Sequence, residues 1–380
     1  MSSLSFRLSR GVLNTITPPI PLAYTWAAKY RLSHGPLLDM SQGIPGVPPQ
    51  RSLQEALSVA ASSLGSFGYC PSEGELVLRE AMADEMRTVY GTDTDIDPGD
   101  MSLTSGCNLA FVATIMTLAD AGDEVILPVP WFVLDHMTLT MLNITTVPLQ
   151  TRPDEGFAPS VSQCKALITP KTRAIVLVTP NNPTGATYSP ELIVEFSRLA
   201  HDHGIALIID ETYRDFILTE LPPHSLFTEA SWREHFIHLF SFSKSYGVPG
   251  HRLGLVLAIA PILASLRPGI VETALGLQAR RELFKNALPP GWVVGAIGGY
   301  FAWTRHPFPG RGSAEVCQRL AEELGVVLLP AAFFCDESNL DKSDDRWIRF
   351  SVANCDDDRV RAVCARLTQC GALFGWESDA

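Results

Sequence analysis

An α/β fold, with a mainly parallel sheet covered by helices, is what this 380-residue sequence predicts. The first observation is a series of short apolar runs rich in β-branched residues, at 124–127, 174–178, 206–209, 237–240 and 254–259. The second is that helix-like stretches, such as 109–118 and 190–203, fall between them. Strands that are apolar on both faces and separated by helices belong to a parallel sheet buried on both sides. The third is that the chemically unusual residues sit in the turns directly after these runs. Such sheets bind ligands there, beyond the carboxyl ends of the strands.

The remaining elements follow in chain order. Residues 1–40 form an arm with Pro18, Pro19 and Pro21 and a short helix-like piece at 22–30. Residues 41–265 hold the parallel-sheet pattern and form the large domain. From 266 to 380 the pattern changes to helix, a strand-like 299–303, helix again, and a strand-like 347–352. That tail, with part of the arm, reads as a smaller α+β domain folded against the large one.

Composition narrows the function. Hydrophobic residues make up 46% and charged residues 18%, which is ordinary core-forming material. The net charge of −12 is spread along the chain, which argues against a nucleic-acid surface, since that needs a basic stripe. No apolar run approaches the roughly 20 residues that span a bilayer, and no secretory signal is visible. The eight cysteines show no CxxC pair and no zinc-site spacing, as expected of reduced thiols in a cytoplasmic protein.

Four segments carry the chemistry. Thr179-Pro-Asn-Asn-Pro-Thr-Gly185 follows the 174–178 run and is rich in turn formers. Asp210-Glu-Thr-Tyr213 follows 206–209, where a carboxylate could simply cap a helix. Ser241-Phe-Ser-Lys-Ser-Tyr-Gly-Val-Pro-Gly-His-Arg252 follows 237–240 and sets a lysine in a serine- and glycine-containing loop. Trp347-Ile-Arg-Phe-Ser-Val-Ala-Asn354 embeds an arginine among apolar residues.

In this order, from about Pro19 to about Asn354, the motifs resemble the class I/II aminotransferases, a family of fold-type I enzymes dependent on pyridoxal 5'-phosphate (PLP). The combination of Asn-Pro-Thr-Gly, Asp-x-x-Tyr and Ser-x-x-Lys, with an arginine eight residues beyond the lysine, is specific. The resemblance implies a fold-type I PLP-dependent transferase, exchanging an amino group between an α-amino acid and a 2-oxo acid. Lys244 is then the Schiff-base nucleophile and proton carrier, Asp210 the partner of the ring nitrogen, and Asn182 and Tyr213 the donors to the phenolic oxygen. Ser105, Gly106, Cys107 and Asn108 form the amide cradle for the phosphate at a helix start, completed by Ser241, Ser243 and Arg252. Phe132 is the ring lying on the cofactor, with Trp131 one residue away in register. Tyr69 corresponds to a tyrosine that reaches the neighbouring subunit's phosphate, which implies a homodimer. Arg349 grips the substrate α-carboxylate in a two-pronged pair, with Asn182 nearby and the Gly43 backbone approaching the same group. The side-chain pocket is expected around Tyr24, Ile44 and Phe132. No second arginine can be assigned to a dicarboxylate, which favours an apolar or aromatic substrate.

One stretch departs from the family. Between Gly254 and the 299–303 strand the family has a markedly longer connection, and the missing part falls near 271–276. That shortening keeps open a catalytically silent binding protein of this fold, and because the cofactor motifs are shared, a PLP-dependent lyase, cyclase or C–C bond-forming enzyme using the same residues also stays open.

Overall fold

Strands buried on both faces need neighbours above and below, and the computed structural model supplies both. It describes residues 6–63, 68–219, 222–252, 260–336, 338–339 and 345–379. The strands are β1 (Leu38–Asp39), β2 (Glu124–Val129), β3 (Thr145–Gln150), β4 (Thr172–Val178), β5 (Ala206–Asp210), β6 (Phe236–Leu239), β7 (Val293–Gly298), β8 (Phe301–Arg305), β9 (Val326–Val327), β10 (Leu329–Pro330) and β11 (Trp347–Ser351). The first sheet runs β3-β2-β4-β5-β6 with every neighbouring pair parallel. Its central strands are almost wholly buried, as their apolar runs require. The expected strand at 254–259 lies outside the described residues.

Helices cover this sheet, and their ends are written in the sequence. Pro190–His203 starts at Ser189, whose side chain accepts a hydrogen bond from the Leu192 N–H, with Pro190 in the first turn. It stops at Gly204 in the left-handed conformation and buries Ile193, Phe196, Leu199 and Ala200. The helix expected at 109–118 begins two residues earlier, as Cys107–Leu118.

The second sheet is antiparallel, in the order β10-β11-β8-β7. The strand-like 299–303 is here corrected: Gly299 and Tyr300 form the turn between β7 and β8, and Gly299 has a φ of +49°. In the arm, the 22–30 piece is the helix Ile20–Ala27, which packs against the helix Ser313–Leu324. Beside it, β1 pairs in parallel with β9.

The shortened stretch is one continuous helix, Leu263–Ala287, of 25 residues. Its buried positions Leu266, Ile270, Ala274, Leu277, Arg281 and Phe284 recur every three or four residues. The helical period therefore crosses 271–276 without a break. No described helix is long and apolar enough to cross a membrane.

Candidate active site

Register brings the site together. Val178 stands opposite Asp210, and Asp210 opposite Leu239, so β4, β5 and β6 end level. The three loops that follow carry Asn182, Tyr213 and Lys244 to one edge of the sheet. There they line a cavity of about 330 Å³ together with Gly43, Cys107, Asn108, Phe132, Asp210, Ser241, Ser243, Arg252 and Arg349. Trp131 is instead core, stacked on His136 with ring centres 4.6 Å apart, which separates the two aromatic candidates. Ser105 and Gly106 sit just behind the wall. Tyr69 is fully exposed and does not reach the cavity of its own chain.

Each polar group is placed by its local structure. Asn181, first of the two asparagines, builds the 179–185 turn by accepting from the Thr184 N–H at 3.0 Å and its hydroxyl at 2.8 Å. That leaves Asn182 for the site, where its Oδ1 accepts from Arg349 Nη1 at 2.8 Å. The amide N–H groups of Asn182 remain its donors toward the cavity. Asp210 Oδ1 accepts from the Thr212 N–H at 2.8 Å, and the Cys107 thiol donates to Oδ2 at 3.8 Å. Burial pushes the Asp210 carboxyl up, with the Thr212 bonds opposing. Burial likewise pushes the Tyr213 hydroxyl up, against the nearby Arg349 charge.

Lys244 lies in the short helix Phe242–Ser245, opened by Ser241, whose hydroxyl accepts from the Ser243 N–H. Its Nζ donates to the Gly43 carbonyl at 2.5 Å. Burial, helped by the positive charge of Arg349, lowers its pKa to about 8. Gly43 was expected beside the substrate carboxylate. Its carbonyl turns to the lysine, and the Ser41 carbonyl accepts from Arg349. A side chain at Gly43 would place Cβ 2.4 Å from the Phe301 ring.

Arg349, on β11, is 4% exposed and lies flat between Phe301 and Phe334, 4.6 and 4.9 Å from their ring centres. Burial pushes its guanidinium down to about 10. Its Nε has no hydrogen-bond partner among the described residues. On the opposite side, Arg252 has a φ of +46° and donates to the carbonyls of Ser105 and Pro249, both at 3.1 Å. This lays the guanidinium over the start of Cys107–Leu118. A Cβ on Gly106 would fall 1.6 Å from Arg252 Nη2, and Gly106 has a φ of +94°. Glycine is required there on both counts.

Several contributors have weak sequence signals. Ile20, Gln42, Leu134, Val178, Thr212 and Phe301 also line the cavity. Tyr24 does not: its hydroxyl donates to Asp39 Oδ2 at 2.8 Å. Ile20, one turn earlier on the same helix, takes its place, a shift that helical periodicity could have suggested.

The sequence matches the aminotransferase class I and II family over residues 29–270 and 269–367. This chain belongs to that family. The junction between the two matched stretches falls inside the helix Leu263–Ala287, where the shortening was expected. Among relatives of this aminotransferase, an aromatic aminotransferase of Arabidopsis thaliana is 26% identical over 87% of this chain and 88% of its own length. The methionine aminotransferase of Escherichia coli is 27% identical over 87% and 92%. The aspartate aminotransferase of Thermus thermophilus, solved as a single mutant, superposes with a TM-score of 0.82 at 24% identity, covering 96% of this chain and 99% of its own. That likeness establishes the fold-type I architecture. Amino-group transfer is the reaction class of the family, whose members depend on PLP.

Proposed function

We propose that the cavity around Lys244 holds PLP and moves an amino group between an apolar α-amino acid and a 2-oxo acid. The observation that carries this reading is what the cavity gathers: a half-buried amine lowered to about 8, a half-buried carboxylate, and a buried guanidinium with an orphan Nε. A buried guanidinium left short of acceptors is costly unless a ligand completes it.

The residues fit PLP. Asp210 holds the proton on the ring nitrogen, and Asn182 and Tyr213 donate to the phenolic oxygen. The helix start at Cys107 and Asn108, with Ser241, Ser243 and Arg252, receives the phosphate. Gly106 leaves room for Arg252 to lie there. Phe132 covers the ring. When bound, the cofactor supplies an electron sink for the charge left on the substrate α-carbon. Arg349 binds the α-carboxylate and fixes the orientation of that carbon. Lys244 Nζ would take the α-proton and hold it for return.

Of the walls that remain, Ile20, Ile44, Leu134, Val178, Pro249 and Phe301 are apolar, and Gln42 and Thr212 are polar. Arg252 and Arg349 are the only arginines lining the cavity among the described residues, and both have roles, so the reading favours an apolar side chain. Tyr69, exposed on its own chain, is read as reaching a second copy's phosphate in a cytoplasmic homodimer. The same reading keeps the division at about residue 265. The shortened stretch gives no support to a silent protein, because the helix that replaces it leaves the cavity residues assembled.

The test is the visible absorption of the purified protein with PLP, for wild type and Lys244→Ala. A lysine-linked cofactor band in the first alone, converting on addition of an apolar amino acid, is the expected result. A wild type without the band would sink the reading.

A further inference from the structure

A second carboxylate is buried beside Asp210. Asp135 lies in the first turn of the helix Val133–Met141, three residues after Phe132, and is 6% exposed. Among the described residues no hydrogen bond reaches its carboxyl, and neither aspartate belongs to an ion pair. Asp210, by contrast, receives the Thr212 N–H and the Cys107 thiol. Asp135 feels the charge of Asp210, and Cys107 feels both.

The groups around Asp135 do not relieve this. The helix Cys107–Leu118 presents only the Cys107 thiol, and β3 carries no titratable side chain. His136, next along the helix, is engaged by Asp336 at 3.0 Å and Thr146 at 3.0 Å. Arg10, on the packed turn Arg10–Asn14, is exposed. Of two neighbouring carboxylates, the one that faces the cavity and has donors, Asp210, keeps the charge, and the buried one without donors, Asp135, does not ionise. The start of the helix favours an anion at Asp135, but its effect is small beside the loss of solvation.

We infer that Asp135 is an uncharged positioning residue, so that the Asp135–Asp210 pair carries a single negative charge, held on Asp210 and facing the cofactor's ring nitrogen. Burial pushes Asp135 well above the usual carboxylate range, which agrees. One charge opposite one protonated nitrogen is a matched pair; two would hold the ring over-tightly and raise the pKa of the lysine link.

The inference rests on PLP occupying the cavity, and its test separates the two. In cofactor-free protein at neutral pH, infrared spectroscopy should show a protonated carboxyl band in wild type that Asp135→Asn lacks. In PLP-loaded protein, the pH midpoint of the visible band should shift by less than about 0.3 unit in Asp135→Asn, because the amide is isosteric with a neutral acid. Removing an ionised carboxylate at this distance would instead lower that midpoint by about one unit. A missing infrared band, or the one-unit shift, overturns the inference. A wild type that retains no PLP overturns the cofactor reading and leaves the infrared result to judge the pair alone. If Asp135→Asn does not fold, Asp135→Glu keeps the acid and should keep a displaced carboxyl band; its absence counts against the inference.

Discussion

Two buried arginines mark two kinds of region in this chain. Arg366, in the helix Asp357–Phe374, donates to the carbonyls of Leu324, Gly325, His34 and Pro36 at 2.5 to 3.3 Å. Both of its terminal nitrogens are fully engaged, and it staples the N-terminal arm to the C-terminal helices. Arg349 is as deeply buried, yet it has two acceptors, an orphan Nε and no carboxylate. The same side chain is finished in one place and unfinished in the other. Completed pairing marks structure, and incomplete pairing marks the place where a ligand belongs.

That contrast can be broken by experiment. The largest effect concerns Lys244. With a pKa of about 8, about a tenth of its amine is free at pH 7, a few hundredfold more than for an ordinary lysine near 10.4. Capture of PLP by the cofactor-free protein should therefore rise through about pH 8, followed by stopped-flow absorbance; a rise only near pH 10 would show an ordinary solvated lysine. Next, Arg349→Leu should raise KM for the amino acid about 100-fold, through loss of a charge-assisted pair. Its folding stability should change by less than about 1 kcal/mol, since removing a poorly paired buried cation offsets two lost hydrogen bonds. The same variant should move the Lys244 midpoint upward, because the Arg349 charge helps hold it down. Arg366→Leu should do the reverse: a loss of about 3 kcal/mol in denaturant melts, from four stranded carbonyls, with KM unchanged. The smallest effect is expected of Gly106→Ala, which displaces Arg252 and should weaken PLP affinity about tenfold by equilibrium titration, with a loss of about 1–3 kcal/mol in stability from the positive φ.

How far the sequence could be read follows from the same physics. The buried strands β2, β4, β5 and β6 were legible because both faces are apolar. β3 was not, since Thr145, Thr146 and Gln150 stand on an edge with polar side chains outward. β7 was missed because Gly295 and Gly298 dilute its pattern; a Cβ on Gly295 would meet the Trp347 ring at 2.5 Å. In the site, motif residues whose side chains face the cavity were legible by type and spacing. Main-chain contributions were not: nothing in Ser41-Gln-Gly43 says which carbonyl turns to Arg349 and which to Lys244. Pairing across elements, as between Asp135 and Asp210, 75 positions apart, is likewise invisible until the chain is folded.

Those three residues, 41 to 43, have one more consequence. A single short strip of backbone holds the amine of Lys244 at one end and the guanidinium of Arg349 at the other. It is anchored just upstream, where β1 joins β9. Once the amine is engaged elsewhere, the strip loses one of its two moorings and keeps the other. Under the proposed function, loading the cofactor and seating the substrate are then events on a common leash, and by reciprocity each alters the affinity for the other.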